Sequence, residues 1–237
     1  MTLTVVLGPR TRLAAALLPR LAPADPVLLV ARDERDVAPL EELAAGLAGG
    51  RIEIVLPSRL RERAAALVAG HDLRVVVAAM GPAHPTDPGV VPDLEADAAA
   101  VRRDLALLDD LLAVGAPAHV VLVSTILALA PAADRRYYGG WKSVVEQSVR
   151  NRVEARAEQG AGLTVLYPGR IRADRGRPWQ RVHVSYDRLA RVVAAATPGK
   201  GAEQTVGADS RIWLIFRSIS FALRSLKVHR AAEAPPR

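Results

Sequence analysis

The sequence predicts an α/β protein built on a doubly wound parallel sheet with a small C-terminal lobe. Short runs of β-branched and aliphatic residues alternate with longer Ala-, Leu- and Arg-rich segments of helical period, and each strand–helix unit has about the length of a right-handed crossover. Half of the 237 residues are apolar, which is enough for one sizeable core. These observations favour a Rossmann-like domain over 1–210, an amphipathic basic helix at 211–230 and a disordered tail at 231–237.

The predicted elements follow one another along the chain. Before residue 170 the β-type runs occupy 2–8, 26–32, 51–57, 73–81, 119–125 and 163–169. The helical segments between them occupy 12–21, 36–48, 58–69, 93–114 and 138–160. After an Arg-rich loop come a short strand at 181–185, a helix at 187–197 and a last strand at 203–207. The Pro- and Gly-rich segment 79–93 follows a strand, so we expect it at the carboxyl edge of the sheet, where ligands of such sheets bind.

Composition excludes several classes of function. The net charge of +7 comes from scattered arginines and aromatic residues make up 4% of the chain, so a nucleic-acid surface is not predicted. The sequence has no run of about 18 uncharged apolar residues and no signal-peptide pattern at its start; together with the lack of cysteine this favours a cytoplasmic protein. The histidines show no metal-binding spacing, so no metal is expected at His71, His84, His119, His183 or His229.

The segment RRYYGGWK at 135–142 contains the pair of residues with the clearest chemistry. The chain takes arginine for most of its positive charges, so a lysine four residues after Tyr138 is distinctive. On a helix, this spacing places Tyr138 and Lys142 on one face. An ammonium group beside a phenol favours the phenolate, so we expect Lys142 to lower the pKa of Tyr138 towards neutrality. Gly139 and Gly140 weaken a helix, which indicates that some group approaches closely there.

Three segments in this order resemble the short-chain dehydrogenase/reductase family: VLVST at 121–125, YGGWK at 138–142 and LTVLYPGRI at 163–171. In that family a strand-end hydroxyl, a YxxxK pair and a strand ending in Pro-Gly follow one another. The resemblance covers nearly the whole chain, because residues 3–22, 27–33 and 66–82 match the first, second and fourth strands with their flanking segments. The segment RVHVSYDRLARVVAAAT at 181–197 resembles a late strand and helix of the extended and atypical branches.

The resemblance implies an enzyme that moves hydride between a nicotinamide cofactor and a carbonyl or carbinol carbon. Tyr138 would be the general acid/base, and Lys142 would tune it and hold the nicotinamide ribose. Thr125, or alternatively Ser124, would hydrogen-bond the substrate oxygen. Arg32 would face the adenosine ribose and favour NADP over NAD, since a guanidinium pairs with a phosphate. The other cofactor contacts would be Gly8, Ala79, Gly81, Pro168 and Gly169.

The phosphate loop departs from the family pattern. Where the family has three glycines, this chain has Gly8, then Thr11 or Arg12, then Ala14. Glycine at the middle position lets the backbone approach the pyrophosphate, and a side chain there obstructs it. Arg10 and Arg12 either replace that contact by pairing with a phosphate or are plain surface arginines. The acidic residue after the third strand and the helix asparagine of the family are also missing.

The helix predicted at 210–230 has one strongly apolar side. Ile212, Ile215, Phe216, Ile219, Leu223 and Leu226 fall on that side, and Arg217, Ser220, Arg224 and Lys227 fall opposite. Such a helix either packs over the substrate pocket or a second subunit, or lies on an anionic membrane surface.

The sequence therefore predicts an NADP(H)-dependent oxidoreductase for a small, apolar or lipid-linked substrate, with NAD or no cofactor as alternatives. A homodimer is expected through the helices at 93–114 and 138–160. The loss of loop glycines motivates a second hypothesis, a non-redox acid/base enzyme such as an isomerase, dehydratase or cyclase. A non-catalytic relative of the fold is the third hypothesis.

Overall fold

The computed structural model describes residues 1–21, 25–47, 51–81, 93–172, 182–197 and 203–232, and in the last range it describes side chains as far as residue 220. These residues form the strands β1 (Thr2–Leu7), β2 (Val27–Val30), β3 (Ile52–Val55), β4 (Asp72–Val77), β5 (Ala118–Val123), β6 (Gly162–Pro168), β7 (Ile171–Arg172), β8 (Val184–Ser185) and β9 (Glu203–Val206). Seven of them build one parallel sheet in the order β3-β2-β1-β4-β5-β6-β9, and β7 pairs with β8 alone.

Helices connect the strands and cover both faces of the sheet. They are α1 (Arg12–Leu17), α2 (Val37–Ala45), α3 (Leu60–Val68), α4 (Leu94–Leu112), the single turn α5 (Ile126–Leu129), α6 (Arg136–Glu154), α7 (Tyr186–Ala195) and α8 (Ala208–Ala232). Short 3₁₀ turns begin or end several of them. None of the helices in the described ranges is long and apolar enough to cross a membrane.

Two apolar layers hold this arrangement together. Along β4, Val75 and Val77 face the layer that contains α3, α4 and α6, whereas Val76 faces the layer that contains α1, α2 and α7. This alternation follows from the two-residue period of a strand. A strand buried on both faces must be apolar at nearly every position, which is why the β-type runs were recognisable in the sequence.

The predicted Rossmann-like doubly wound sheet is confirmed, and the six strands before residue 170 end one to four residues earlier than predicted. Their last predicted residues bend out of the sheet into the loops of its carboxyl edge. The predicted C-terminal lobe corresponds mainly to α7 and β9, which join the main layers, and to the small β7–β8 pair. The strand predicted at 181–185 is reduced to Val184–Ser185. Residues 82–92 of the predicted rim, 173–181 of the Arg-rich loop and 233–237 of the tail lie outside the described residues.

From β1 the chain adds strands on one side of the sheet, β2 and β3, and from β4 it adds them on the other side. The connections that follow β1 and β4 therefore lead to opposite sides of the sheet and leave a crevice between them at its carboxyl edge. Open α/β sheets bind ligands at such a crevice. The candidate residues after β1, β2, β4, β5 and β6 all lie along this edge.

Candidate active site

The loops that follow β1 and β4 contact each other at Gly8. This residue has φ +76°, in the left-handed region that favours glycine. A Cβ at Gly8 would lie 2.9 Å from the backbone nitrogen of Ala79, which follows β4. The glycine is thus required for the close contact between the β1 and β4 loops, and it shapes the crevice whether or not a ligand is bound.

Thr11 and Arg12, the two candidates for the missing middle glycine, have different surroundings. The Thr11 hydroxyl accepts a hydrogen bond from Ala14 N at 3.1 Å and donates one to Gly8 O at 3.1 Å, so Thr11 is the N-cap of α1. Arg12 is exposed in the first turn of the helix. The Thr11 hydroxyl thus bonds backbone groups of the loop at the position where the resemblance predicts a glycine that leaves the backbone accessible to a pyrophosphate.

Asp36 links the first loop to the loop after β2. Its carboxylate accepts a hydrogen bond from the Arg10 guanidinium at 2.6 Å and another from the backbone N–H of Arg32 at 3.2 Å. Burial alone would raise the pKa of Asp36, but these two donors hold it below the ordinary value. Arg10, for which the sequence left open a phosphate contact or a plain surface position, is therefore paired with a carboxylate, and the Arg32 side chain is exposed beside it.

Tyr138 and Lys142 lie one helical turn apart in α6, as predicted. The Lys142 ammonium group is 5.5 Å from the centre of the Tyr138 ring and donates a hydrogen bond to the carbonyl of Met80, after β4, at 2.7 Å. Burial lowers the pKa of Lys142 to about 8, and the carboxylate of Asp104 partly opposes this. Within the described part of the chain, the Tyr138 hydroxyl has no hydrogen-bond partner.

The expectation that Lys142 lowers the pKa of Tyr138 is wrong for this structure. Burial raises the pKa of Tyr138, and the positive charge of Arg135 opposes this only in part. The physical reason is that the ammonium group is directed towards the Met80 carbonyl and lies over the ring. Tyr138 is consequently a protonated phenol at neutral pH, suited to donate a proton.

The two glycines between them are not equivalent. A Cβ at Gly139 would lie 2.6 Å from the carbonyl oxygen of Leu127, so Gly139 allows α5 to pack directly on α6. A Cβ at Gly140 would meet nothing within 4 Å. The predicted close approach is confirmed at Gly139, and the approaching group is the backbone of α5.

The two hydroxyls after β5 point to different surroundings. Thr125 caps α5, with its hydroxyl 3.4 Å from Leu127 N, and lines a cavity at the carboxyl edge. Its hydrogen remains available for a substrate oxygen, because in this cap the hydroxyl acts as an acceptor. The hydroxyl of Ser124 instead donates to the buried carboxylate of Glu146 at 3.0 Å. Thr125 is therefore the hydroxyl that faces the cavity.

Glu146 is the centre of a buried polar network that the sequence reasoning missed. Besides Ser124, its carboxylate accepts hydrogen bonds from the Tyr167 hydroxyl at 2.5 Å and from Arg150 at 3.0 Å. Arg150 also pairs with Glu203 of β9 at 2.8 Å. Burial, followed by the bond to Glu146, raises the pKa of Tyr167. A signal was present: Glu146 interrupts the apolar side of α6, between Val145 and Val149.

Three of the predicted cofactor contacts lie where β4 and β6 end: Gly81 follows β4, Pro168 is the last residue of β6, and Gly169 follows it. Gly81 has φ +74°, and its N–H donates to Asp104 of α4 at 3.1 Å. Pro168 is buried at the end of β6. The carboxylate of Asp209, in the first turn of α8, lies against Gly169 and leaves no room for a Cβ there. It accepts a hydrogen bond from Arg170 N at 2.6 Å. Sequence reasoning also missed Asp209, which comes to this place only through the pairing of β9 with β6.

A cavity of about 400 Å³ lies between the ends of β5 and β6. Its apolar wall is made by Ile126, Leu127, Ala132 and Trp213, and its polar wall by Thr125, Asp134, Arg135, Arg170, His183 and Asp209. This volume is within the range of small-molecule sites. Arg135, whose charge acts on Tyr138, is one of the lining residues, whereas Tyr138 itself is not.

Acidic and imidazole groups are present in this part of the molecule, but no group of three or more in the described ranges is arranged to hold a metal ion.

The chain is similar in structure to solved proteins, but no protein-family model and no curated protein matches its sequence. A short-chain type dehydrogenase/reductase from Mycobacterium ulcerans superposes with a TM-score of 0.68 at 18% identity, over 89% of this chain and 90% of that one. A short-chain dehydrogenase from Burkholderia cenocepacia, solved with NADP, gives 0.67 at 17% identity over 98% of both chains. A 3-oxoacyl-[acyl-carrier protein] reductase from Brucella melitensis, solved with NAD, gives 0.64 at 16% identity over 90% and 97%.

The chain has the fold of the short-chain dehydrogenases/reductases. The likeness extends over nearly the full length of the short-chain dehydrogenases compared, so the sequence resemblance and the architecture agree. At 16–18% sequence identity the structural similarity establishes the fold, whereas the chemistry depends on the side chains of the site.

Proposed function

We propose that the chain is an oxidoreductase of the short-chain dehydrogenase/reductase family that uses NADP(H) to interconvert a carbonyl and an alcohol. The observation that carries the proposal is the phenol of Tyr138, which lies one helical turn from Lys142 and has no hydrogen-bond partner among the described residues. Arg135, three residues before it, lines the same cavity as Thr125. A scaffold protein has no need of a buried lysine beside an unpaired phenol, because burying that charge reduces stability.

The carboxyl edge fits a dinucleotide at both of its ends. At one end, Gly8 permits the tight turn after β1, and Arg32 is exposed after β2. At the other, Ala79 and Gly81 border the crevice after β4, and Pro168 and Gly169 border it after β6. Between the two ends, Thr11 narrows the approach to the pyrophosphate. Because Arg10 is paired with Asp36, we expect the exposed Arg12 to supply a contact that the missing glycines cannot.

A bound nicotinamide would supply the hydride. The chain's own residues then act on the substrate oxygen: Thr125 donates a hydrogen bond that orients it, and the Tyr138 phenol donates a proton as the carbon gains the hydride. The raised pKa of Tyr138 keeps this proton on the phenol at neutral pH. The substrate oxygen becomes a stronger base than a phenolate as the carbon gains the hydride, so it can take the proton. Lys142, one helical turn away, carries its proton below a pH of about 8 and would hold the nicotinamide ribose.

The preference for NADP(H) rests on Arg32. A guanidinium forms bidentate bonds with a phosphate, whereas the ribose hydroxyl of NAD(H) offers it only a weak partner. Asp36 does not repel such a phosphate strongly, since Arg10 already neutralises its charge. The apolar wall of the cavity favours a small substrate with an apolar body.

The proposal is tested by titrating the protein with NADPH and NADH, following nicotinamide fluorescence and the shift in Tm that binding produces. We expect saturable binding, about tenfold tighter for NADPH. Arg32→Ala should remove this preference, whereas Arg35→Ala, another exposed arginine of the same loop, should keep it. No binding of either nucleotide at millimolar concentration would contradict the redox function and favour non-redox acid/base chemistry.

Catalysis is tested separately with a series of aliphatic and aromatic ketones, by the loss of NADPH absorbance. Tyr138→Phe should abolish turnover and leave NADPH affinity nearly unchanged. Turnover equal to that of the wild type would refute the assigned role of Tyr138.

A further inference from the structure

The outer face of α8 exposes a stripe of large apolar side chains. Ile212, Ile215, Phe216 and Ile219 are between 54% and 61% exposed. Their spacing of three and four residues places them on one side of the helix. Among the described residues, the other exposed large apolar side chains belong to separate segments of the chain: Met1, Leu94, Leu129, Val144 and Val182. The largest group of exposed apolar side chains along one segment is therefore on α8.

The opposite face of α8 attaches the helix to the domain. The Trp213 indole N–H donates to the carbonyl of Ala130 at 2.8 Å, and Trp213 and Leu214 pack against the core. Ser210 is fully buried, and its hydroxyl donates to Gly207 O at 2.9 Å. The helix thus lines the candidate cavity through Asp209 and Trp213, and the Ile212 side makes none of these contacts. The side chains of Leu223 and Leu226 lie outside the described residues.

The charge of α8 distinguishes between possible occupants of the stripe. Over 208–232 the sequence has one acidic residue, Asp209, and the basic residues Arg211, Arg217, Arg224, Lys227 and Arg230. Arg211 is exposed, and Arg217 lies 6.0 Å from the Trp213 ring. A second copy of α8 on this stripe would bring two strongly cationic helices together, which is unfavourable.

From the exposed stripe and this charge we infer that α8 docks on an anionic membrane surface, with Ile212, Ile215, Phe216 and Ile219 inserted at the boundary between headgroups and acyl chains. A helix with an apolar side and a basic remainder binds in the plane of such a surface. Asp209 and Trp213 of the same helix line the candidate cavity. Docking would therefore place the cavity close to the lipid.

The test is flotation of the full-length protein with vesicles. We expect the protein to float with vesicles of equimolar phosphatidylcholine and phosphatidylglycerol and to stay unbound with vesicles of phosphatidylcholine alone. Ile215→Glu and Phe216→Glu should each lower the partition coefficient about tenfold or more, since a charge enters the apolar layer. Arg211→Glu should weaken binding to the anionic vesicles, and high salt should do the same.

Val144→Glu is the matched control, because Val144 of α6 is 52% exposed and lies outside the stripe. It should float like the wild type, and all variants should keep the Tm of the wild type. A protein that stays unbound with both kinds of vesicle would overturn the inference. So would a dimer in sedimentation velocity that Phe216→Glu dissociates, because the stripe would then be a contact between two copies. Neither result depends on the proposed enzymatic activity.

Discussion

Two adjacent glycines of α6 differ in what surrounds them, and this difference is testable. Gly139→Ala would add a methyl group 2.6 Å from the Leu127 carbonyl oxygen, a backbone atom that cannot move without shifting α5. We expect a loss of about 1–3 kcal/mol in the free energy of unfolding, as for other overpacked sites. Gly140→Ala meets open space and should raise stability by up to about 1 kcal/mol, through helix propensity.

Urea unfolding of the two variants measures the difference. Equal stabilisation by both would show that α5 does not pack on α6 as described. Leu127 also lines the cavity, so a shift of α5 in Gly139→Ala should lower turnover as well. Gly140→Ala does not contact Leu127 and should leave turnover unchanged.

The burial of Lys142 lowers the stability of the folded chain at neutral pH. Its pKa of about 8 in the folded protein is below the ordinary value of 10.5, so the unfolded chain binds its proton more strongly. The cost of burying the ammonium group is present below about pH 8, decreases as the pH rises through the folded pKa, and is gone above the unfolded one. Lys142→Met should therefore raise the free energy of unfolding at pH 7 by about 1–3 kcal/mol, after loss of the Met80 hydrogen bond.

The advantage of Lys142→Met over the wild type should shrink between pH 7 and pH 10. Urea unfolding at both values checks this, and the difference between the two proteins cancels the titration of other groups. A variant that is less stable than the wild type at pH 7 would mean that the ammonium group is better solvated or paired than its contacts indicate.

At the level of single residues, local spacing predicted the parts of the site that are close in sequence. Tyr138 and Lys142 share a helix, and Thr125 follows the neighbouring strand, so their order along the chain was informative. Asp36 and Asp209 reach the site only through the folding of distant segments. Their carboxylates form contacts over 26 residues, to Arg10, and 39 residues, to Arg170, which no local pattern encodes.

A network of side-chain hydrogen bonds connects α6 to the neighbouring strands. Through Glu146 the helix is hydrogen-bonded to Ser124 after β5 and to Tyr167 of β6, and through Arg150 it reaches β9. Removing one member leaves several buried polar groups without partners, which costs more than the loss of one bond. The network thus fixes the helix that presents Tyr138 and Lys142 against the strands that end at the cavity.

Glu146→Ala should lower the free energy of unfolding by about 3–5 kcal/mol, because the Tyr167 and Ser124 hydroxyls and the Arg150 guanidinium lose their acceptor. Gln147→Ala is the control: Gln147 is exposed on the same helix and should change stability by less than about 0.5 kcal/mol. Urea unfolding of both variants is the measurement. Similar values for the two would show that the network contributes no more than an exposed contact.

Elements as a whole were predictable wherever their apolar pattern was long. β4 and α4 were recognised because one is apolar at successive positions and the other has helical period over 19 residues. The four-residue helix α5 was missed because a single turn has no period to detect. The pair β7–β8 was missed in part because two residues per strand carry no alternation.

For the whole molecule, the sheet order predicts where the structure opens first. β4 lies between β1 and β5, and Val75, Val76 and Val77 have no exposed surface. β9 is an edge strand paired only with β6, and Glu203 and Gln204 are exposed. Segments with few buried contacts open with less free energy than the core does.

Native-state hydrogen exchange should therefore separate two groups of amides. Those of β1, β4 and β5 should exchange only through global unfolding, with protection that matches the free energy of unfolding from urea. Those of β9 and of the first turns of α8 should exchange at least about tenfold faster, through a local opening that releases the C-terminal elements from β6. Exchange of β9 as slow as that of β4 would contradict this, and would mean that the strand beside the cavity and the helix that lines it unfold only with the whole sheet.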